Sequence, residues 1–132
     1  MNLFEILAIP ANTQKTLKSL QVIRVLSRDK TYLNETINDE HFDCLLEHAS
    51  IGSQQQPKLR LSTDIQTEAL KILCNLVFQS PKCQELCLKN SAVEGILRRL
   101  RTYKEQHVPY DIKFFDMKLL FLITALTPNG DY

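Results

Sequence analysis

Arg24 and Arg28 stand four residues apart, so on a helix both project from one side. A guanidinium presents a planar fork of N–H donors, and two of them on one face could clamp a carboxylate. The plainer reading is a pair of solvated charges, one balanced by Asp29. Asn75 interrupts the apolar run Leu73-Cys74-Asn75-Leu76. Its amide could bond between adjacent helices, or take the main chain of a bound peptide. Phe114 and Phe115 are core residues by default, although one of them could face a groove.

Other candidates are weaker. His41, Cys44 and His48 share one helix face and are acceptable zinc ligand types, but no fourth ligand is evident. Cys44 also adjoins Phe42 and Leu45, where a small buried thiol is ordinary. Cys83 and Cys87 lie one turn apart and read as partly buried thiols. The basic run Arg98, Arg99, Arg101 and Lys104 reads as a solvated outer helix face rather than a phosphate site. No phosphate loop, nucleophile elbow or H-E-x-x-H helix occurs. No catalytic set, cofactor or metal is expected.

Helices must position these residues. Leu17, Leu20, Ile23 and Leu26 follow a period near 3.6, with Val22 and Val25 widening the stripe, and Ser27-Arg28-Asp29 ends the run. Asn38 or Asp39 can cap a second helix that buries Phe42, Leu45, Leu46 and Ala49 and ends at Gly52. Ser53 to Pro57 is a polar loop. Ser62 or Thr63 opens a long helix with Ile65, Ala69, Leu70, Ile72, Leu73, Leu76 and Val77 on its apolar face. Ser80 caps a short helix with Pro81 in its first position, buried through Leu86 and Leu88. Ser91 and Glu94 form a capping-box pattern before Val93, Ile96, Leu97, Leu100 and Tyr103. After a connector at His107 to Tyr110, Asp111 caps a last helix to Leu126 that is apolar all round, as suits a helix covered on both sides. Nothing alternates with a period of two, so no sheet is predicted.

A repeat underlies this order. A shift of about fifty residues lays Val22, Val25 and Leu26 on Leu73, Leu76 and Val77, and Phe42, Leu45 and Leu46 on Val93, Ile96 and Leu97. A slightly shorter shift lays Leu73, Leu76 and Val77 on Leu122, Ala125 and Leu126. Long helix, short helix, medium helix is the order of an armadillo unit. The fold class expected is an all-α, armadillo/HEAT-like solenoid of about two to three repeats.

Composition narrows the function. The 132 residues are 44% hydrophobic and 23% charged, enough for a packed domain. A net charge of +1 gives no reason to expect nucleic acid or an anionic membrane. The four cysteines make no C-x-x-C pair, and the start lacks a secretory n-region, so free thiols in a reducing cytoplasm are expected. Leu119 to Leu126 is too short to span a bilayer.

Three segments resemble the synembryn family. They are Gln21-Val-Ile-Arg-Val-Leu-Ser-Arg-Asp29, Glu68-Ala-Leu-Lys-Ile-Leu-Cys-Asn-Leu-Val-Phe-Gln-Ser-Pro81 and Pro109-Tyr-Asp-Ile-Lys-Phe-Phe-Asp-Met-Lys-Leu-Leu-Phe-Leu-Ile-Thr-Ala-Leu126. The resemblance covers residues 15–126, and the tail 127–132 departs from it as a premature end would. It implies a single truncated armadillo-type domain over 1–132. It also implies a non-enzymatic chaperone and guanine-nucleotide exchange factor for G-protein α subunits, bound nucleotide-free or with GDP. The C-terminal helix of the α subunit would lie in a concave groove, with Arg24, Arg28, Asn75 and Phe115 as its contacts. The location implied is cytoplasmic, with the cell cortex or the inner face of the plasma membrane reached through the partner. The rival expectations are a generic armadillo peptide-binding scaffold and a truncated isoform without exchange activity.

Overall fold

The computed structural model describes residues 13–29, 37–52 and 62–125. The expected loop at residues 53–57 and the tail at 127–132 lie outside them. Among the described residues six helices follow in order: α1 (Thr13–Leu26), α2 (Asp39–His48), α3 (Thr63–Val77), α4 (Pro81–Lys89), α5 (Ala92–Leu100) and α6 (Tyr110–Thr124). No strand occurs among the described residues. The all-α expectation holds.

The hub is α3. It packs against α1, α2, α4 and α6, while α5 packs against α4 and α6. Its apolar residues therefore meet neighbours on several sides, and Leu70, Ile72, Leu73 and Val77 have no solvent exposure. Leu20 and Ile23 of α1, Phe42, Leu45 and Leu46 of α2, Ile96 of α5 and Leu119 of α6 complete the same core.

The helix starts follow local chemistry. Ser62 Oγ accepts from the Ile65 N–H and Ser80 Oγ from the Cys83 N–H, satisfying donors that the first turn leaves without an intrahelical partner. Pro81 occupies the first turn of α4, where a missing N–H costs nothing. Asn38 and His41 cap α2 reciprocally: Asn38 Oδ1 accepts from the His41 N–H, and His41 Nδ1 accepts from the Asn38 N–H. One metal candidate is thus a capping residue.

Several expectations are corrected. Ser91 adopts a left-handed conformation with φ 65° and makes no side-chain cap, so the Ser91–Glu94 box does not form. The residue is already spent closing α4, its N–H reaching the Leu88 carbonyl. Asp111 lies inside the first turn of α6, and Pro109 holds the cap position without a side-chain bond. The second helix ends at His48, before Gly52. Ser50 takes the left-handed position, and the Ile51 N–H returns to the Leu46 carbonyl in a Schellman closure. In α4 the residues turned inward are Cys83 and Cys87, both fully buried, while Leu88 faces solvent.

The first and last described helices differ from the central one. Val22, Val25 and Leu26 are exposed, whereas Leu73, Leu76 and Val77, the residues that the expected repeat lays on them, are buried. Among the described residues, helix α1 makes its main contact with α3 alone, so the stripe buried there is narrower than the sequence suggests. The last helix is likewise not covered all round: Tyr110, Phe114, Met117 and Phe121 are exposed on it.

Candidate functional site

The four candidate residues come from three separate helical segments. Arg24 lies in the last turn of α1, Asn75 near the end of α3 and Phe115 in the second turn of α6. Arg28 lies just beyond α1, where the chain turns with the Arg28 N–H on the Val25 carbonyl. It is exposed there, and does not extend the helix face of Arg24 as an unbroken i, i+4 pair.

Direct bonds link the segments. Arg24 Nε donates to Glu68 Oε2 at 2.6 Å, joining α1 to α3. Glu68 is buried, a position a carboxylate holds only with a cation and hydrogen bonds. Lys71 Nζ lies 3.9 Å from the other oxygen of Glu68 and 5.7 Å from the centroid of the Phe115 ring. The second distance is within reach of a cation–π attraction. Phe115 meets Phe114 edge-on at 5.1 Å. Asn75 Nδ2 donates to Ser27 Oγ at 3.0 Å, and Ser27 Oγ in turn donates to the Arg24 carbonyl. The structural reading of Asn75, an amide bonding between adjacent helices, is therefore realised. Its carbonyl oxygen makes no bond among the described residues.

Arg24, Glu68, Lys71 and Phe115 thus run across α1, α3 and α6 as one connected strip, with Asn75 and Ser27 beside it. Ser27, Glu68 and Lys71 do not stand out in the sequence as site residues. Glu68, Lys71 and Asn75 do recur at i, i+3 and i+7, a polar line through the apolar second half of the helix, which is the signal that could have found them.

Two residues of the basic run, Arg98 and Arg99, have a different role from the one expected. Arg98 Nη2 donates to the Gly52 carbonyl at 2.6 Å. Arg99 donates to the Ala49 carbonyl, to Gln66 and, with two nitrogens, to the Asp116 carboxylate, whose residue has no exposure. Tyr103 Oη donates to the same carboxylate at 2.7 Å. These two arginines are structural. They satisfy carbonyls just past the end of α2, and Arg99 also binds a buried acid of α6. Only Arg101 and Lys104 face solvent as the sequence suggested.

Burial pushes the Tyr103 phenol above its ordinary value, and the bond to Asp116 and that residue's charge push the same way against Arg99. With the folded value raised, the contribution is complete below about pH 10 and is lost as pH rises through the folded value. Tyr103→Phe is expected to cost about 1 kcal/mol at neutral pH. In urea unfolding, the gap between wild type and variant should stay constant to about pH 10 and narrow above it. A gap that does not change with pH would contradict this.

The thiols offer little reactivity. Burial raises Cys44 to about 11, with Asp43 and Glu47 adding to the shift, and raises Cys74 to about 12. Cys87 is raised further by burial. All three are far from the thiolate state that nucleophilic chemistry needs. His48 Nδ1 lies 2.8 Å from the Cys44 carbonyl, inside its own helix. No group of three metal-ligating side chains occurs among the described residues. No helix there is long and apolar enough to cross a membrane.

The sequence model described as guanine nucleotide exchange factor synembryn matches residues 19–132. The chain belongs to the synembryn family. Chaperone Ric-8A of Gallus gallus is 42% identical over 109 residues, covering 81% of this chain and 20% of its own length. Chaperone Ric-8A of Macaca fascicularis is 39% identical over 108 residues, with the same two coverages. That of Danio rerio is 38% identical over 112 residues, covering 83% of this chain and 20% of its own. The chain therefore spans about a fifth of the length of these synembryn relatives. The relatives are named as chaperones, and the family as a nucleotide exchange factor.

Proposed function

We propose that this chain supplies part of the groove by which a synembryn-family chaperone and exchange factor holds a G-protein α subunit, without catalysing a covalent reaction. The observation that carries the proposal is the connected strip Arg24–Glu68–Lys71–Phe115 with Asn75 beside it, spread over three helices. The long helices α1 and α6 both pack on α3, which supports an armadillo-type stack whose long helices share one face.

The chemistry suits the C-terminal helix of the G-protein partner in its nucleotide-free or GDP form. A helix C-terminus carries a partial negative charge, and a chain end adds a carboxylate; both are attracted to Arg24 and Arg28. Asn75 has a carbonyl oxygen and a second N–H for main-chain groups, and Phe115 offers an apolar contact to an amphipathic helix. Holding that helix away from its own nucleotide domain would weaken GDP binding by linkage. The setting proposed is cytoplasmic, at the cell cortex or inner membrane face only through the partner.

Arg28→Ala tests the clamp. Titrated with a peptide of the G-protein C-terminal helix, the variant is expected to bind about tenfold more weakly, on the order of 1.4 kcal/mol. Its affinity should also fall less steeply with salt. Unchanged affinity and unchanged salt slope would remove the clamp.

A further inference from the structure

Among the described residues Arg24 is held by one nitrogen only. Its Nε meets Glu68 Oε2 at 2.6 Å, and neither terminal nitrogen has a partner among the described residues. The Arg24 side chain is 25% exposed and that of Glu68 is 11% exposed. The anchoring end of the pair is therefore sunk in the helix packing and the other end reaches solvent. A guanidinium bound through Nε cannot swing freely about its last bonds, and its terminal nitrogens point away from the anchor as a two-pronged donor.

We infer that Glu68 is the positioning residue of the site: its carboxylate fixes Arg24 through Nε and turns the terminal Nη1–Nη2 pair outward to receive a ligand carboxylate end-on. This rests on the reading that Arg24 meets the ligand. Fixing a flexible cation before binding spares side-chain entropy that would otherwise be lost on binding. Glu68 also removes part of the positive charge of Arg24 and Lys71, which lies 3.9 Å from it. Bare electrostatics and preorganisation therefore oppose each other. Deleting the acid raises the positive charge of the strip, yet releases Arg24.

That opposition makes the idea testable. Glu68→Gln keeps the reach and an accepting oxygen while removing the charge. Glu68→Asp keeps the charge but shortens the reach, and Glu68→Ala loses both. The first readout needs no ligand: the Arg24 Nε–H resonance in nitrogen-15 NMR of the whole chain. It should be sharp and slow to exchange in wild type and Glu68→Gln, and averaged in Glu68→Asp and Glu68→Ala.

The second readout is titration with the same G-protein C-terminal peptide. Glu68→Ala and Glu68→Asp should bind about fivefold to tenfold more weakly, whereas Glu68→Gln binds as well as wild type or better. An Arg24 signal that stays sharp in Glu68→Ala would overturn the inference. So would a Glu68→Ala chain that binds as tightly as Glu68→Gln while Arg24→Ala binds weakly, because charge alone would then explain the strip. If wild type does not bind the peptide, the proposed function falls. The resonance then decides by itself whether Glu68 positions Arg24.

Discussion

Asp116→Ala is expected to destabilise the chain by about 3–5 kcal/mol, the usual range for removing one partner of a buried ion pair. Asp116 has no exposure and accepts from two nitrogens of Arg99 and from Tyr103 Oη. Its loss leaves a largely buried guanidinium without its counter-charge. The remaining acceptors of Arg99, the Ala49 carbonyl and the Gln66 amide, carry no compensating charge. A domain is typically stable by only about 5–15 kcal/mol, so the variant should lose much of its cooperative unfolding margin. Urea unfolding followed by circular dichroism measures it. A loss of under about 1 kcal/mol would show that water reaches the site and that the pair behaves as a surface pair. Replacing Asp116 and Arg99 together by apolar residues should cost less than the single change, because no charge is left stranded.

Gly95→Ala is the second large effect, and two principles give it opposite signs. Alanine is the better helix former by about 1 kcal/mol, so α5 considered alone predicts stabilisation. Packing predicts the reverse. A Cβ at Gly95 would overlap the Ile51 carbonyl oxygen and lie 2.7 Å from its carbon and 2.9 Å from its Cα. All three are backbone atoms and cannot rotate aside. The segment after α2 would have to lift off α5, breaking the bond from Arg98 to the Gly52 carbonyl and that from Arg99 to Ala49. A net loss of about 3 kcal/mol is expected from thermal or urea unfolding. A gain in stability would mean that α5 and the Ile51 segment slide apart at little cost.

Local signals in the sequence were sound only in part: the Ser91–Glu94 box, the Asp111 cap and the Gly52 stop are local too and were not realised. The start of α3 at Ser62, the Ser80–Pro81 entry to α4 and the apolar faces of α2 and α3 depend on residues within one or two turns of each other. Other misreadings arose where a partner lies far along the chain. Arg98 and Arg99 looked like solvated charges because their acceptors, Gly52 and Ala49, are 46 and 50 residues away. Asp116 was the overlooked clue: a lone acid between Phe115 and Met117 in a strongly apolar helix needs a buried cation somewhere. Val22 and Val25 looked like core because periodicity says which residues share a face, and not how much of that face a neighbour covers.

The candidate site was legible by halves. Arg24, Asn75 and Phe115 could be picked out, but not what joins them. Glu68 and Lys71 acquire meaning only once α1, α3 and α6 are placed against one another.

The corners of the fold carry one more consequence. Ser50, Gln79, Ser91 and His107 all have positive φ, and none is glycine. Three of them come directly after the caps that close α2, α3 and α4. At Gln79 the Ser80 N–H returns to the Val77 carbonyl, a tight turn whose third residue is ordinarily glycine. A left-handed backbone costs a residue with a Cβ roughly 1–2 kcal/mol, so the junctions hold tension that the helices between them do not. None of these residues belongs to the Arg24–Phe115 strip. The molecule can therefore be made sturdier at these junctions while the Arg24–Phe115 strip keeps every atom it has.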